Sequence, residues 1–458
     1  MIGSRTTSDR EPAAGSPLEL WGGIECTVNR VGDRYFDQIA RSGHDERLEK
    51  DLELFAALGL KTLRYPLLWE RLAPGAHRCP DWSDADRAME MLQELGITPI
   101  VGLVHHGSGP RFTSLIDPCF AERLADYASM VAQRYRWIEM WTPINEPLTT
   151  ARFAGLYGLW YPHARSDYAF VRAFINQCLG IRASMAAVSR VNPASRLIQT
   201  EDLGRIYSTP SLRHQADFEN HRRWLTFDVL CGRVDRAHAM WDYLVANGAS
   251  PAELDSFVDE PCVPGVVGIN HYLTSERFLD DRVELYPEHL RGGNGRDAYV
   301  DVEAVRVLED GIAAHLGVLR EAWARYSLPM ALTEVHLGCT SDEQLRWLDE
   351  AWRAALELRA EGGTVVGVTV WALLGSRGWD CLLARDGGTY EPGVFDTSSG
   401  EPRSTPLAEM VRALAQTGHF EHPALEVAPW WREAGRISYA PYRHGQSMPP
   451  LRVRDAHV

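Results

Sequence analysis

The sequence lacks the features that mark several common protein classes. Its eight cysteines form no C-x-x-C pair and its histidines are not clustered, which argues against a zinc site and a disulfide scaffold. The longest apolar run, residues 365–374, is shorter than the roughly 20 residues of a membrane-spanning helix. No apolar segment resembling a signal peptide occurs near residue 1. We therefore expect a cytoplasmic protein with reduced thiols, no bound metal and no cofactor.

Positive charge is also scarce. The chain has 47 basic and 62 acidic residues and a formal net charge of -15, and Lys50 and Lys61 are its only lysines. This balance disfavours nucleic acid and anionic membranes as partners. A small-molecule substrate is the expected partner, and the sequence leaves the oligomeric state open.

Hydrophobic residues make up 45% of the 458 residues, enough for a sizeable core. Short apolar segments with strand character alternate with segments whose apolar residues recur at helical spacing. The predicted strands are 18–24, 60–67, 97–104, 138–147, 196–199, 265–272, 329–334 and 365–371. The predicted helices are 44–58, 82–95, 119–135, 167–191, 214–247, 302–326, 342–359 and 406–415.

This alternation predicts an α/β fold with a parallel sheet covered by helices. Eight strands favour closure into a (β/α)8 TIM barrel. A doubly wound sheet is the alternative, but no G-x-G-x-x-G motif follows the first strand. We expect a disordered lead-in at 1–17, a single barrel domain at 18–416 and an extension at 417–458 that packs on the barrel, its last dozen residues disordered. Residues 273–300 are expected to form a loop.

Two of the predicted strands end in a glutamate. The segment 138–147, IEMWTPINEP, delivers Glu146, and Pro147 ends the strand in a rigid turn because it lacks a backbone donor. The segment 329–334, PMALTE, ends in Glu334 in the same way. Solvent-facing acids are the plain alternative for each segment alone. Together, two glutamates at strand ends of one barrel suit the paired carboxylates of a glycosidase.

The other strand ends add polar and aromatic side chains that should converge on the same face of the barrel. In chain order, the strand-end set is Asn29, Arg64, His105, Asn145 with Glu146, Glu201 with Asp202, Asn270 with Tyr272, Glu334, and Trp371 with Trp379.

Seven segments carry a resemblance to a known family. WTPINEP resembles the T-x-N-E-P motif of the family 1 glycoside hydrolases, which are retaining β-glycosidases with acids on strands four and seven. Six other segments are similar to further segments of that family and occur in the same order. They are LWGG with Asn29, the second βα unit EKDLELFAALGLKTLRYPLLWERLAP, GITPIVGLVHH, GINHY, LTE and VWALLGSRGW. The resemblance covers residues 18–416 and implies a (β/α)8 barrel that acts on a glycoside.

The resemblance implies a role for each matched residue. Glu146 would be the acid/base and Glu334 the nucleophile, with the two carboxyl groups about 5 to 5.5 Å apart. Arg64 would hold Glu334 ionised, Tyr272 would donate a hydrogen bond to it, and Asn145 would bind the sugar 2-hydroxyl. The remaining substrate-binding candidates are Asn29, His105, Asn270, Trp371 and Trp379.

Structural alternatives accompany several of these roles. Arg64 could be an ion-pair residue of the barrel core, His105 a structural histidine and Trp371 a packing residue. His106 and His336 are taken as structural. Glu201 and Asp202 are expected to be loop acids within reach of a polar substrate.

The sequence departs from the family pattern in three places, at four residues. Asn29 replaces a sugar-binding glutamine, Val335 and His336 replace Asn-Gly after the nucleophile, and Gly378 replaces the glutamate that grips the sugar 4- and 6-hydroxyls. Each lost charged hydrogen bond is worth about 1.5 to 3 kcal/mol, so binding of glucose or galactose should be weakened.

Three explanations of these departures stay open. The first is activity on an unusual sugar, for example a deoxy or otherwise modified one, or on a glycosylated metabolite. The second is glycosyl transfer to an acceptor other than water. The third is a catalytically inactive sugar-binding or scaffold barrel, against which the joint presence of both acids and their supporting residues argues.

Overall fold

The computed structural model describes residues 17–75 and 79–443. Eight parallel strands form a closed barrel in which each strand pairs with the next in the chain and the last pairs with the first. The strands are β1 Glu19–Gly23, β2 Thr62–Pro66, β3 Thr98–His105, β4 Met140–Asn145, β5 Arg196–Asp202, β6 Val266–Asn270, β7 Met330–Val335 and β8 Val365–Val370. The predicted (β/α)8 barrel is confirmed. The predicted terminal disorder lies outside the described residues, apart from Pro17.

Several of the barrel strands are buried on both sides. All five residues of β2, all five of β6 and all six of β7 are buried, as expected where one face packs into the barrel interior and the other under a helix. Glycines terminate several of the intervening helices; Gly96, for example, ends one at a φ of +65° before β3 begins.

Fourteen α-helices occur among the described residues. They span Gln38–Ser42, Leu48–Ala57, Trp69–Leu72, Ser83–Glu94, Phe120–Arg134, Pro147–Ala151, Asp167–Val191, Arg213–Arg222, Leu225–Leu230, Trp241–Ala246, Pro251–Asp259, Ala314–Tyr326, Ser341–Ala360 and Pro406–Thr417. The single helical region expected at 214–247 is therefore three helices. None of the helices in the described part of the chain is long and apolar enough to cross a membrane.

The prediction of a loop at 273–300 followed by a helix from residue 302 was wrong. Strands Arg277–Asp280, Arg291–Gly293 and Ala298–Glu303 join Ile206–Ser208 in a separate four-stranded sheet. Within Ala298–Glu303, Val300 and Val302 are buried while Asp301 between them is exposed, a strand period. The helix begins only at Ala314, beyond Gly311, whose φ is +85°.

The segment after the last helix lies against the barrel and reaches its carboxyl-end face. Trp431 is buried, donates from Nε1 to Glu350 at 2.9 Å and meets the ring of Trp347 edge-on. The backbone N–H of Tyr442 donates to the carbonyl of Val307 at 3.0 Å. This part of the chain thus borders the face on which the strand-end side chains meet.

Candidate active site

A cleft of about 1090 Å³ opens at the carboxyl ends of the barrel strands. Glu146, Tyr272, Glu334, Trp371 and Trp379 all line it. Five of the ten residues predicted from the sequence therefore share one cavity. Asn29, Arg64, His105, Asn145 and Asn270 do not line it, and their contacts show what they do instead.

Glu146 is aimed by a strained backbone turn at the end of β4. Its φ is +46° and ψ is +61°, a left-handed conformation that is costly for a residue with a Cβ. Pro147 disfavours right-handed helical angles in the residue before it and itself starts the helix Pro147–Ala151. The backbone N–H of Glu146 donates to the carbonyl of Thr200 on β5 at 3.2 Å. The turn thereby directs a 4% exposed carboxyl group into the cleft.

Glu334 near the end of β7 is held by two donors. Arg64 donates from Nη1 to Oε1 at 2.9 Å, and Tyr272 donates its hydroxyl to Oε2 at 2.5 Å. The Arg64 guanidinium also lies 4.8 Å from the centroid of the Trp371 ring. Arg64 is thus an ion-pair residue of the carboxylate itself, as the sequence suggested.

A continuous hydrogen-bond network joins the two carboxyl groups beneath the cleft. Asn270 donates from Nδ2 to Glu146 Oε1 at 2.6 Å and to Asn145 Oδ1 at 3.3 Å. The same Asn145 oxygen accepts from Arg64 Nη2 at 2.8 Å and from Thr200 Oγ1 at 2.7 Å. Both asparagines are buried, and neither lines the cleft. Asn270 orients Glu146 directly, whereas Asn145 orients Arg64, which donates to Glu334.

The surroundings give the two acids different proton affinities. Burial, then the charge of Glu334, raises the pKa of Glu146 well above its usual range, and Asn270 offsets this only in part. Burial also raises the pKa of Glu334, but Arg64 and Tyr272 oppose the rise and the pKa reaches only about 7. The arginine lowers the pKa of Glu334 as expected, yet burial outweighs it. Glu146 therefore holds its proton more firmly than Glu334.

Tyr272 stays a donor throughout the neutral range. Burial, then the charges of Glu334 and Glu146, raises the pKa of its hydroxyl well above the ordinary value. A protonated phenol beside Glu334 stabilises the ionised form of that carboxyl group.

The positions of the two histidines at the end of β3 are the reverse of those predicted, because His106 lines the cleft and His105 does not. His105 lies behind the cleft wall, stacked on Trp371 with ring centroids 5.6 Å apart. His106 lines the cleft, with Nε2 at 3.7 Å from Glu146 Oε2 and Nδ1 at 3.0 Å from Thr150 Oγ1. Burial lowers the pKa of His105 well below its usual range and that of His106 to about 3, so both rings are neutral. The prediction that His106 is only structural does not fit its place in the cleft.

Asn29 is not positioned to contact a ligand in the cleft. It is fully buried, and its Nδ2 donates to the carbonyl of Leu383 at 3.1 Å. Leu382, the residue before that carbonyl, lines the cleft instead. The side-chain amide of Asn29, which the sequence predicted to bind a sugar, therefore binds the turn at residues 382–383.

The expectation that Glu201 is a loop acid was wrong. Its carboxylate is fully buried and accepts from Leu148 N at 2.9 Å, Thr149 N at 3.2 Å and Thr226 Oγ1 at 2.7 Å. It thus anchors the first turn of the helix that follows Glu146. Asp202 does line the cleft, as expected for an acid within reach of a substrate.

Comparisons with known proteins agree with this geometry. The sequence model of Glycosyl hydrolase family 1 matches residues 15–215. Beta-glucosidase A of Thermotoga maritima is 27% identical over 36% of this chain and 38% of its own length, so this match spans less than half of that relative. The 6-phospho-beta-glucosidase of Dickeya chrysanthemi is 27% identical over 80% of this chain and 81% of its own. The solved beta-glucosidase from Thermotoga maritima in complex with deoxynojirimycin superposes with a TM-score of 0.71, at 17% identity, over 90% of this chain and 99% of the other.

Residues 15–215 thus resemble the family 1 glycoside hydrolases, and the chain shares the barrel fold of the solved beta-glucosidase. Its departures from the family pattern have a structural basis at Gly378, whose φ of +80° is unfavourable for any residue with a side chain. A Cβ there would lie 3.2 Å from the carbonyl of Gly387 and 3.3 Å from Leu383. Gly378 does not line the cleft, and its surroundings leave little room for a side chain.

The second departure, after the nucleophile candidate, places His336 in the cleft wall. Its Nδ1 lies 3.1 Å from the carbonyl of Trp371, and its Nε2 lies 2.7 Å from Glu391 Oε2. His336 and Glu391 both line the cleft, so its wall contains a His–Glu pair, whereas the sequence predicted only a structural histidine.

Sequence reasoning missed Glu25, which lines the cleft with the two acids. Oε2 accepts from the indole nitrogens of Trp371 and Trp379, at 3.2 Å each. Its position two residues beyond β1 was the available signal, because the same strand-end rule identified Glu146 and Glu334.

Proposed function

We propose that this chain is a retaining β-glycosidase that breaks or transfers an O-glycosidic bond through a covalent glycosyl-enzyme intermediate. The carrying observation is the pair of buried carboxyl groups in one cleft, linked by hydrogen bonds but unequal in proton affinity. A retaining mechanism requires one acid protonated and its partner ionised at the same pH.

In the first step Glu146 is the general acid. Its Oε1 accepts from Asn270, so Oε2, on the side of the neutral His106, is the oxygen that carries the proton. The proton passes to the glycosidic oxygen as Glu334 attacks the anomeric carbon and the bond to the aglycone breaks. Glu334 then forms an ester with the sugar, and its negative charge is lost.

In the second step the same residues work in reverse. Loss of charge on Glu334 removes one of the influences that raise the pKa of Glu146, which by then is ionised. Glu146 takes a proton from water or from an acceptor hydroxyl, whose oxygen displaces Glu334 from the anomeric carbon. Hydrolysis and glycosyl transfer differ only in that acceptor.

The substrate we propose is a β-glycoside with an unusual glycone, such as a deoxy or otherwise modified sugar, or a glycosylated metabolite. Relatives named as β-glucosidases and 6-phospho-β-glucosidases support a β-linked hexose-like glycone. The backbone packing at Gly378 supports a difference in how its distal hydroxyls are bound. The catalytically inactive barrel is the alternative, and it gives no reason for a cleft containing both acids.

The proposal is tested by trapping the intermediate. The protein is incubated with activated 2-deoxy-2-fluoro glycosides of gluco, galacto and 6-deoxy configuration, and intact mass is measured. We expect a sugar-sized adduct on the wild type and none on Glu334→Gln. No adduct with any glycoside, together with no turnover by the wild type above that of Glu146→Ala, would favour the inactive barrel.

A further inference from the structure

We infer that Glu25 recognises the glycone, accepting a hydrogen bond from a hydroxyl of a non-phosphorylated sugar and disfavouring a sugar phosphate. The inference rests on the proposed function, because it assigns a substrate class to the same cleft. It makes Glu25 a specificity-determining residue for that function.

The position of Glu25 suits this role. It is 3% exposed, lies two residues beyond β1, and borders the cleft together with Glu334. Oε1 accepts from the backbone N–H of Thr27 at 2.9 Å, and Oε2 accepts from the indoles of Trp371 and Trp379. A carboxylate has about four acceptor sites, and these three donors leave one of them on Oε1.

The electrostatic surroundings of Glu25 indicate a role beyond accepting hydrogen bonds from Trp371 and Trp379. Among the described residues, no arginine, lysine or histidine nitrogen forms an ion pair within 4.0 Å of the Glu25 carboxylate. A buried carboxylate without a cationic partner is costly, and a glutamine would accept the indole hydrogens without carrying the charge. The charge therefore needs a reason beyond the indoles, and a hydroxyl donor from a bound sugar supplies one.

Glu25 also offers the kind of group that is absent at residue 378. A Cβ at Gly378 would lie 3.2 Å from the carbonyl of Gly387 at a φ of +80°, so a side chain there is disfavoured. The Glu25 carboxylate enters the same neighbourhood from β1, and Trp379, next to Gly378, donates to it.

The charge of the wall argues against a sugar phosphate. Glu25, Glu334, Asp380 and Glu391 line this part of the cleft, and the neighbouring His336 is already paired with Glu391. The arginines that line the cleft, at 152, 222, 223, 277 and 306, come from other elements. A phosphate near Glu25 would face like charge, which is unfavourable in a partly desolvated site.

The test compares the wild type with Glu25→Gln and a matched control, Glu19→Gln. Glu19 also accepts from an indole, that of Trp21 at 3.0 Å, but lies at the opposite end of β1 and outside the cleft. Binding of glucose, 6-deoxyglucose and glucose 6-phosphate is measured by calorimetry at neutral pH, and labelling of Glu334 by a 2-fluoro glycoside is measured in parallel.

We expect Glu25→Gln to weaken binding of the neutral sugars about 10- to 100-fold and Glu19→Gln to leave it unchanged. Glucose 6-phosphate should bind the wild type about tenfold or more weakly than glucose, with a smaller difference in Glu25→Gln. Unchanged affinity in Glu25→Gln, tighter binding of the phosphate, or no binding of either neutral sugar would overturn the inference. Because binding needs no turnover, labelling of Glu334 shows separately whether the proposed function stands.

Discussion

At the scale of single residues, two glutamates differ because of their neighbours. Glu334 has a guanidinium and a phenol as donors, whereas Glu146 has one amide donor and the charge of Glu334 nearby. The sequence predicted both acids because each lies at the end of an apolar strand, and the family resemblance implied their arginine and tyrosine partners. It did not predict that Asn145 and Asn270 lie beneath the cleft, since side-chain direction depends on the register of neighbouring strands.

Removing the Tyr272 hydroxyl tests the support of Glu334. Tyr272→Phe should lower kcat/KM about 10- to 100-fold, because a hydrogen bond to a charged group is lost. The control is Tyr326→Phe, which removes a buried phenol that donates to Asp228 at 2.8 Å, outside the cleft. Equal effects of the two substitutions on kcat/KM would contradict a specific role for Tyr272.

The unequal pKa values predict the pH dependence of catalysis. Activity should rise through about pH 7 as Glu334 ionises, and it should fall at higher pH as Glu146 loses its proton. Tyr272→Phe should move the rising limb to higher pH, because the phenol opposes the effect of burial on Glu334. The measurement is kcat/KM against pH, and a rising limb near pH 4 would show that burial does not control Glu334.

At the scale of elements, the carboxyl ends of β1, β4 and β7 deliver the acids. The alternation of apolar strands and helices predicted these strands to within a few residues, together with the acids of β4 and β7 but not Glu25 beyond β1. The four-stranded sheet containing Arg277–Asp280 was not predictable in the same way, because its strands are short and pair with Ile206–Ser208, about 70 residues away in the chain.

The helix Pro147–Ala151 depends on Glu201. Glu201→Gln would place an NH₂ group against backbone N–H donors, so we expect a loss of about 1 to 3 kcal/mol in the free energy of unfolding. Activity should also fall, since the helix begins directly after Glu146. Urea denaturation measures the stability change. The control, Glu357→Gln, removes an exposed ion pair with Arg320 and should change stability by less than about 1 kcal/mol.

At the scale of the whole molecule, the barrel and the segment that follows its last helix form one packed structure. Trp431 packs against Trp347 on the helix Ser341–Ala360, while Trp430 and Tyr439 from the same segment line the cleft. The abundance of Trp and Tyr predicted that this segment packs on the barrel. Its contribution to the cleft could not be predicted, because nothing in the local pattern specifies which face it covers.

Truncation of Trp431 tests that packing. Trp431→Ala should lower the free energy of unfolding by about 3 to 5 kcal/mol, because it leaves a cavity beside Trp347 and an unpaired Glu350 oxygen. The exposed Val427→Ala in the same segment should have little effect. A similarly small effect in urea denaturation of Trp431→Ala would mean that the segment does not contribute to the core.

The assignment of Glu334 as nucleophile and Glu146 as acid/base is tested most directly by azide rescue, followed by NMR of the product. Each displacement at the anomeric carbon inverts it, so azide entering in place of the missing group reports which group was lost. With an activated β-glycoside that the wild type accepts, Glu334→Ala should yield the α-glycosyl azide and Glu146→Ala the β-glycosyl azide. The same anomer from both variants, or the two anomers exchanged, would contradict the assignment.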